Sequence, residues 1–317
     1  MSRFASIALV LRGLRPINLI LLMLALPSFR YFLMLPVLET RLLNFGLSDT
    51  GFALLVLGAG MIAGAGNLIN DYFDQLSDRI NLKQRQVPSE KVFWSVYTTL
   101  NLLGLSLCGW AAWEAGLLNL TLIPLAAVML LFRYSEHFKG RSWSGPLVIV
   151  LLCLLWVALP WLYEFKAMGI LYRYYPSDAQ YLNQTWLVYL GLVALVTLSR
   201  ELIKACQDRA GDLAAGLQTV AVVMGFKGCR NMAFGAWVPV PVLNLFVVRH
   251  QVLTGAIVES LYSSIALLLA LVITYRLFRL QSSSEAARVS LLLKAYLALG
   301  IGSLWVYYML FLYMAPS

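Results

Sequence analysis

The sequence predicts an all-α protein, a polytopic membrane bundle of about nine transmembrane helices. Of its 317 residues, 61% are hydrophobic and only 12% are charged, whereas a soluble domain carries about 25% charged residues. A helix that crosses a bilayer needs roughly 20 mostly apolar residues, and runs of that kind recur along the whole chain. We therefore expect a single membrane domain over residues 1–317.

The spans are placed where apolar runs are bounded by charged residues or by Gly and Pro clusters. They lie near 16–37, 52–72, 91–113, 117–134, 145–165, 184–204, 231–248, 257–279 and 288–313. The first run follows Arg3, Arg12 and Arg15, as in a signal peptide. However, it continues well beyond a short apolar core and no small-residue cleavage site follows it, so we expect a retained helix.

The Lys and Arg residues predict the orientation of the bundle. With nine spans, all of the 24 Lys and Arg residues fall on one side of the membrane except Arg30, Arg41, Lys166, Arg173 and Arg249. Because positive residues concentrate in cytoplasmic loops, we expect the N-terminus in the cytoplasm and the C-terminus outside. A positive excess in so apolar a chain sets topology more often than it binds nucleic acid, so no nucleic-acid partner is expected.

Three of the few acidic residues, Asp71, Asp74 and Asp78, lie at the end of the second span. On a helix, offsets of three and four residues stack these side chains, and that of Asn67 four residues earlier, on one face. Stacked like charges repel unless a cation lies between them, and ionisable groups in a membrane segment usually mark function. The alternative is a solvated helix end, which is less favoured because such ends usually interleave Lys or Arg.

A second acidic stretch ends the sixth span, where Asp208 and Asp212 are one helical turn apart and Lys204 lies one turn before Asp208. The charge distribution places it on the same side of the membrane as the first stretch. Carboxylates on two helix ends at one depth form an oxygen-rich site of the kind that Mg2+ occupies together with phosphate oxygens. The sequence therefore predicts a diphosphate ligand. A simple Lys–Asp pair within the helix is the alternative for this stretch alone.

The first acidic stretch, from Asn67 through Asn70, Asp71, Asp74 and Asp78 to Arg85 and Val87-Pro88-Ser89, resembles the first signature of the UbiA superfamily of intramembrane prenyltransferases. Further segments resemble that family as well: Arg15-Pro16-Ile17-Asn18, Tyr134-Ser135 through Lys139 with Gly145-Pro146, Gly211-Asp212 to Gly216, Thr219 and Gly225, and Ser290, Lys294 and Gly300. Among the branches of this family, the sequence Arg200-Glu201-Leu-Ile-Lys204 most resembles that of the geranylgeranylglyceryl-phosphate geranylgeranyltransferase-like branch.

The resemblance implies Mg2+-dependent transfer of a prenyl group from an allylic, geranylgeranyl-like polyprenyl diphosphate to a lipid or glycerol-phosphate-type acceptor. The catalytic residues and metal ligands that it implies are Asp71, Asp74, Asp208 and Asp212. The implied substrate-binding residues are Asn67, Asp78, Arg85, Tyr134, Lys139 and Lys204. The expected partners are the diphosphate donor, a lipophilic or phosphorylated acceptor and membrane lipids. We expect a multi-pass protein of a bacterial inner (plasma) membrane, with its active site facing the cytoplasm.

The second motif departs from the family pattern. Ala205 and Gln207 stand where that branch usually carries acidic residues. This departure concerns the way in which a second Mg2+ ion or the usual acceptor is bound. One alternative is therefore an aromatic or quinone-precursor acceptor, and another is a catalytically impaired homologue that binds isoprenoid lipid. A carrier with an intramembrane cation site is less favoured, because the acidic residues lie only at one end of the spans.

Overall fold

The computed structural model describes residues 3–81 and 87–314. Within these residues, nine helical segments are long and apolar enough to cross a membrane. They are Pro16–Glu39, Asp49–Phe73, Glu90–Glu114, Leu118–Phe138, Ser144–Tyr163, Pro176–Ala214, Gly225–Leu253, Ile257–Arg279 and Ser283–Leu310. The predicted all-α membrane bundle is confirmed.

The α-helices are joined by short connections. They are α1 (Arg3–Gly13), α2 (Pro16–Pro27), α3 (Leu35–Glu39), α4 (Asp49–Phe73), α5 (Gln75–Ile80), α6 (Glu90–Glu114), α7 (Leu122–Arg133), α8 (Ser144–Tyr163), α9 (Phe165–Tyr174), α10 (Pro176–Ala214), α11 (Val220–Val223), α12 (Gly225–Trp237), α13 (Pro239–Leu253), α14 (Ile257–Arg279) and α15 (Ser283–Met314). Ser28–Met34 and Tyr134–Phe138 are π-helical, and Leu118–Thr121 is a 3-10 turn. Two short strands, β1 (Arg141–Ser142) and β2 (Gln218–Thr219), pair in parallel. This pairing joins the loop after the fourth span to the loop after the sixth.

Proline and polar residues shift the predicted boundaries. The first span changes to a π-helical turn after Pro27, which is consistent with the missing N–H and bulky ring of proline. The seventh span consists of α12 and α13, which meet at Pro239. The sixth span was predicted over 184–204, but α10 has 39 residues. At 1.5 Å per residue it is about 58 Å long, which exceeds a hydrocarbon core of about 30 Å. Its last turns therefore extend beyond that core.

Glycines allow α4 to pack closely against α6. A Cβ atom added at Gly58 would lie 2.8 Å from the carbonyl oxygen of Gly104 and 2.9 Å from the Sγ atom of Cys108. Contacts that short are not tolerated between backbones. Small residues at this crossing therefore bring the two helices together within one bundle, as small residues commonly do in membranes.

Apolar cores form on two sides of a central cavity. One core joins α10, α12, α14 and α15 around Trp237 and Leu277, and another joins α4, α6 and α8 around Phe52 and Tyr163. Residues of both cores line a cavity of about 1230 Å³. The bundle thus contains a mainly apolar cavity of a size suited to a hydrocarbon chain.

A buried ion pair joins the first span to Glu164, which lies between α8 and α9. Arg30 Nε lies 3.1 Å from Glu164 Oε1, and both side chains have no exposed surface. Glu164 Oε2 accepts a hydrogen bond of 2.6 Å from the Gly46 amide, and Arg30 donates to the carbonyl oxygen of Leu47. Burial raises the pKa of Glu164, while the positive charge of Arg30 opposes that rise.

Candidate active site

Three carboxylates gather where α4 ends and α5 begins. Asp71, Asp74 and Asp78 are all buried, and one oxygen from each lies within 4.8 Å of the other two. The predicted stacking on one face is therefore present, although the helix is interrupted at Asp74, which lies between α4 and α5. The sequence resemblance gave Asp78 a substrate-binding role, and the structure places it in the same acidic cluster as the two predicted metal ligands.

Within residues 3–81 and 87–314, two cations and an amide contact this acidic cluster. Arg15 pairs with Asp71, and Lys139 pairs with Asp74. Asn70 donates a hydrogen bond of 2.8 Å to Asp74 and accepts one of 3.3 Å from Lys139. Burial disfavours the charged form of Arg15, but the Asp71 carboxylate outweighs it and the pKa of Arg15 is raised. Lys139, for which the resemblance implies a role in substrate binding, thus lies against the first motif.

The backbone holds Arg15 in an unusual conformation. Its φ angle is 54°, in the left-handed region that residues other than glycine rarely adopt. The Asn67 amide donates a hydrogen bond of 3.1 Å to the carbonyl oxygen of Leu14, immediately before it. Asn67 also lines the large cavity. Asn67 thus fixes the turn that directs Arg15 toward the acidic cluster, and strain of this kind is concentrated at functional sites.

The two acidic stretches meet through hydrogen bonds. Ser77 donates a hydrogen bond of 2.9 Å to Asp212, which is buried. Asn81 accepts one of 3.0 Å from the Gly211 amide and donates one of 3.2 Å to the carbonyl oxygen of Asp208. The end of α10 therefore lies against α5, and the predicted convergence of the two motifs is present.

A smaller polar cavity of about 410 Å³ opens between the two motifs and adjoins the large one. We call the residues that line both cavities the seam. They are Arg15, Asn18, Asn70, Tyr134, Arg200, Glu201, Lys204 and Lys294. The seam joins a charged compartment to an apolar one, which is the arrangement that an amphiphilic ligand requires.

Glu201 at the seam was not among the predicted site residues. It is buried and binds two cations of its own helix, Arg200 at 3.0 Å and Lys204 at 2.9 Å. Lys204, for which the resemblance implies a role in substrate binding, thus pairs with Glu201. The sequence contains a sign of this group, because three charged residues within five positions of an apolar helix usually have a function.

The remaining predicted positions have mixed outcomes. Tyr134 is buried at the seam. Ala205 and Gln207 both line the smaller cavity, so the departures from the family pattern do face the site. Arg85 lies outside the residues that the structure describes.

The donor set at the acidic cluster fits a small hard cation. The cluster offers carboxylate oxygens, and among the residues that the structure describes it contains neither histidine nor cysteine. Oxygen ligands of this kind suit Mg2+, which is usually bound by one or two carboxylates plus phosphate oxygens. Asp208 and Asp212 border the same polar cavity from the other side. The residues present therefore fit Mg2+ together with a phosphorylated ligand.

Residues 42–300 match the UbiA prenyltransferase family. Similar curated proteins are named digeranylgeranylglyceryl phosphate synthase. The one from Metallosphaera sedula is 30% identical over 192 residues, 59% of this chain and 61% of that protein. The one from Halobacterium salinarum is 34% identical over 186 residues, 57% and 59% respectively. The chain thus spans about three fifths of the length of these two relatives. The one from Methanothermobacter thermautotrophicus is 27% identical over 237 residues, 74% and 77%.

Solved structures share the fold. One, from work on digeranylgeranylglyceryl phosphate synthase in membranes, has a TM-score of 0.63 at 18% identity and covers 96% of this chain and 99% of that one. Another, a UbiA homologue from Archaeoglobus fulgidus bound to GPP and Mg2+, has a TM-score of 0.55 at 16% identity and covers 94% and 99%. At these identities the likeness establishes the fold. The family match over residues 42–300, most of the sequence, assigns this chain to the UbiA prenyltransferase family.

Proposed function

We propose that this protein transfers a prenyl group from an allylic polyprenyl diphosphate to a lipid or glycerol-phosphate-type acceptor. The observation that carries the proposal is the seam, where a compartment bordered by acidic and basic side chains opens into an apolar cavity of about 1230 Å³. A prenyl diphosphate has the same division into a charged head and a hydrocarbon tail. The curated relatives named digeranylgeranylglyceryl phosphate synthase support a geranylgeranyl-like donor and a glycerol-phosphate acceptor.

Mg2+ would be held by carboxylates from both motifs, namely Asp71, Asp74 and Asp78 of the first and Asp208 and Asp212 of the second. When bound, Mg2+ neutralises the negative charge that develops on the diphosphate as the allylic C–O bond breaks. The proposal is supported by the acidic cluster and by the Mg2+ in the Archaeoglobus fulgidus homologue.

The cations of this chain act on the same developing charge. Lys139 and Arg15 already contact the acidic cluster, so they lie beside the place where the diphosphate would bind. Fixed positive charges stabilise a leaving group more strongly when water is excluded. Lys139 and Arg15 would therefore hold the diphosphate, and the turn fixed by Asn67 would orient Arg15.

The apolar cavity keeps water away from the reacting groups. It is lined largely by aliphatic and aromatic side chains, so it can seat the isoprenoid chain and exclude the water that would otherwise capture an allylic cation. Tyr134, buried at the seam, presents an aromatic ring where the charged and apolar compartments join, and such rings attract cations.

We further propose that the polar cavity faces the cytoplasm of a prokaryotic cell. Its support is the distribution of Lys and Arg residues, most of which fall on this side of the bundle. The relatives described above are archaeal, and the bacterial membrane expected from the sequence stays a prediction. The multi-pass membrane architecture itself is established by the fold.

Product analysis tests the proposal. The purified protein is incubated with Mg2+, a mixture of allylic diphosphates of different chain length, and glycerol-phosphate or aromatic acceptors, and the products are identified by mass spectrometry. We expect a prenylated glycerol-phosphate lipid. Transfer only to an aromatic acceptor would support the quinone-pathway alternative, and binding of the donor without any product would support an impaired homologue.

A further inference from the structure

The seam holds four cations, and three of them pair with carboxylates. Arg15 is paired with Asp71, while Arg200 and Lys204 share Glu201. Lys294, which lies on α15, is the fourth cation of the seam. Its surroundings therefore decide whether α15 presents a positive charge that a ligand could use.

Lys294 has a neutral partner. Its Nζ atom donates a hydrogen bond of 2.7 Å to Oδ1 of Asn18. Within residues 3–81 and 87–314, no carboxylate oxygen lies within 4.0 Å of that nitrogen. The charged groups that act on it most strongly, Arg200 and Arg15, are themselves positive. A partly buried ammonium among like charges at the edge of an apolar cavity is unfavourable unless an anion compensates it.

The groups beside Lys294 are hydrogen-bond donors. Because Asn18 Oδ1 accepts from Lys294, the Nδ2 atom of the same amide is left to donate. Ser290 lies one turn before Lys294 on α15 and lines the same polar cavity. An ammonium, an amide N–H and a hydroxyl together suit the oxygens of a phosphate group.

Lys294 lies on a different helix from the acidic cluster, although both border the polar cavity. The cluster is built on α4 and α5 and has its own cations, Arg15 and Lys139. Lys294 lies on α15 and is bonded to α2. One diphosphate beside the acidic cluster would use Arg15 and Lys139, so the ammonium of Lys294 remains available for a second anionic head group.

We infer that Lys294, together with Asn18 and Ser290, binds the phosphate of the acceptor, with the hydrocarbon part of the acceptor in the large cavity. The inference rests on the proposed function and extends it, since it makes the acceptor an anionic lipid and names the side chains that select it. Lys294 is thus a specificity-determining residue for the acceptor, distinct from the groups that hold the donor.

Lys294→Met tests the inference with two acceptors that differ only in charge, geranylgeranylglyceryl phosphate and geranylgeranylglycerol. We expect the variant to raise the KM for the phosphorylated acceptor by about tenfold to a hundredfold, the loss typical of a charge-assisted hydrogen bond. The KM for the neutral acceptor and for the donor should stay within about twofold, since neither depends on this charge. Lys294→Arg should retain most of the preference for phosphate.

Lys227→Met is the matched control, because Lys227 is exposed and lines neither cavity. It should leave all three KM values unchanged. An equal rise for the charged and the neutral acceptor would overturn the inference, because it would indicate loss of packing. A rise confined to the donor would overturn it as well, because Lys294 would then belong to the diphosphate site.

Ser290→Asp provides a second variant that keeps Lys294 in place. A carboxylate one turn earlier on α15 can pair with Lys294 and should abolish the preference for phosphate in the same way. An unchanged preference in this variant would contradict the inference, even where Lys294→Met does not fold.

Binding without donor separates this inference from the proposed function. Thermal stabilisation of wild-type protein by geranylgeranylglyceryl phosphate should exceed that by geranylgeranylglycerol, and Lys294→Met should remove the difference, whether or not transfer takes place. If the wild type binds the lipid in this way and forms no product, the proposed function fails and the inference stands. Stronger, Lys294-dependent stabilisation by hydroxybenzoate than by the phosphorylated lipid would overturn the phosphate assignment.

Discussion

Asp74→Asn removes one negative charge from the acidic cluster while it preserves the size of the side chain. Asp74 has two carboxylate neighbours within 4.8 Å, and at an effective dielectric constant of about 20 each such repulsion amounts to about 3 to 4 kcal/mol. The same substitution removes the ion pair with Lys139, which at an ordinary contact distance of about 2.8 Å is worth about 6 kcal/mol on the same scale, close to the sum of the two repulsions. The relief of repulsion offsets the lost pair, so the metal-free variant should remain folded.

In contrast to its small effect on folding, Asp74→Asn should strongly reduce enzymatic activity. A group that stabilises charge in the transition state typically contributes a factor of about 10² to 10³, and we expect Asp74→Asn to lower kcat by at least about a hundredfold. Product formation is measured at saturating Mg2+, and thermal unfolding is measured with and without Mg2+ and a prenyl diphosphate. The wild type should be stabilised by the two together, and the variant should lose most of that stabilisation.

The control is Asp49→Asn, the same chemical change at the opposite end of α4, where the side chain is 82% exposed. It should leave turnover unchanged. Wild-type product formation by Asp74→Asn at saturating Mg2+ would refute the assignment of the acidic cluster as the metal site. A collapse of thermal stability without Mg2+ would refute the electrostatic reasoning instead.

Three further predictions concern topology, the second motif and packing. In a cysteine-free background, Ser89→Cys and Gln218→Cys should react with an impermeant thiol reagent only from the cytoplasmic side, and labelling from opposite sides would contradict the bundle described above. Ala205→Asp should lower the Mg2+ concentration for half-maximal activity, because position 205 lines the polar cavity, and an unchanged Mg2+ dependence would show that an added carboxylate there does not reach the metal. Gly211→Ala should destabilise the protein by about 1 to 3 kcal/mol, since its Cβ would lie 2.5 Å from the carbonyl oxygen of Ser77; a denaturation midpoint equal to that of the wild type would contradict this close approach.

The number of spans and the meeting of the two acidic motifs could be predicted from the sequence because both follow from local patterns. Apolar runs of membrane length identify the spans, and one-turn spacing identifies the carboxylate faces. The start of α10 could not be predicted in this way, because its first residues, from Pro176 to Asn183, are too polar to extend an apolar run although they are helical.

The pairing pattern at the site depends on tertiary contacts. Lys204 lies within one turn of both Glu201 and Asp208, so spacing alone allows either partner, and the structure shows the contact with Glu201. Likewise, nothing in the local sequence around Asn67 indicates that its amide would hold the turn before Arg15. These assignments needed the positions of neighbouring helices, which residue spacing does not specify.

The buried pair of Arg30 and Glu164 has a consequence for how the protein is made. A charged residue inside a membrane helix costs roughly 2.5 to 3.5 kcal/mol at insertion, and the first span must enter the bilayer with Arg30 in it. Asp49, an exposed partner 3.5 Å away, is synthesised soon afterwards, but Glu164 follows 134 residues later. At about 5 to 20 residues per second, that delay is roughly 7 to 27 s. During this interval the growing chain contains a buried guanidinium without its final counter-ion, so a chaperone or insertase that shields the first span would act in this window.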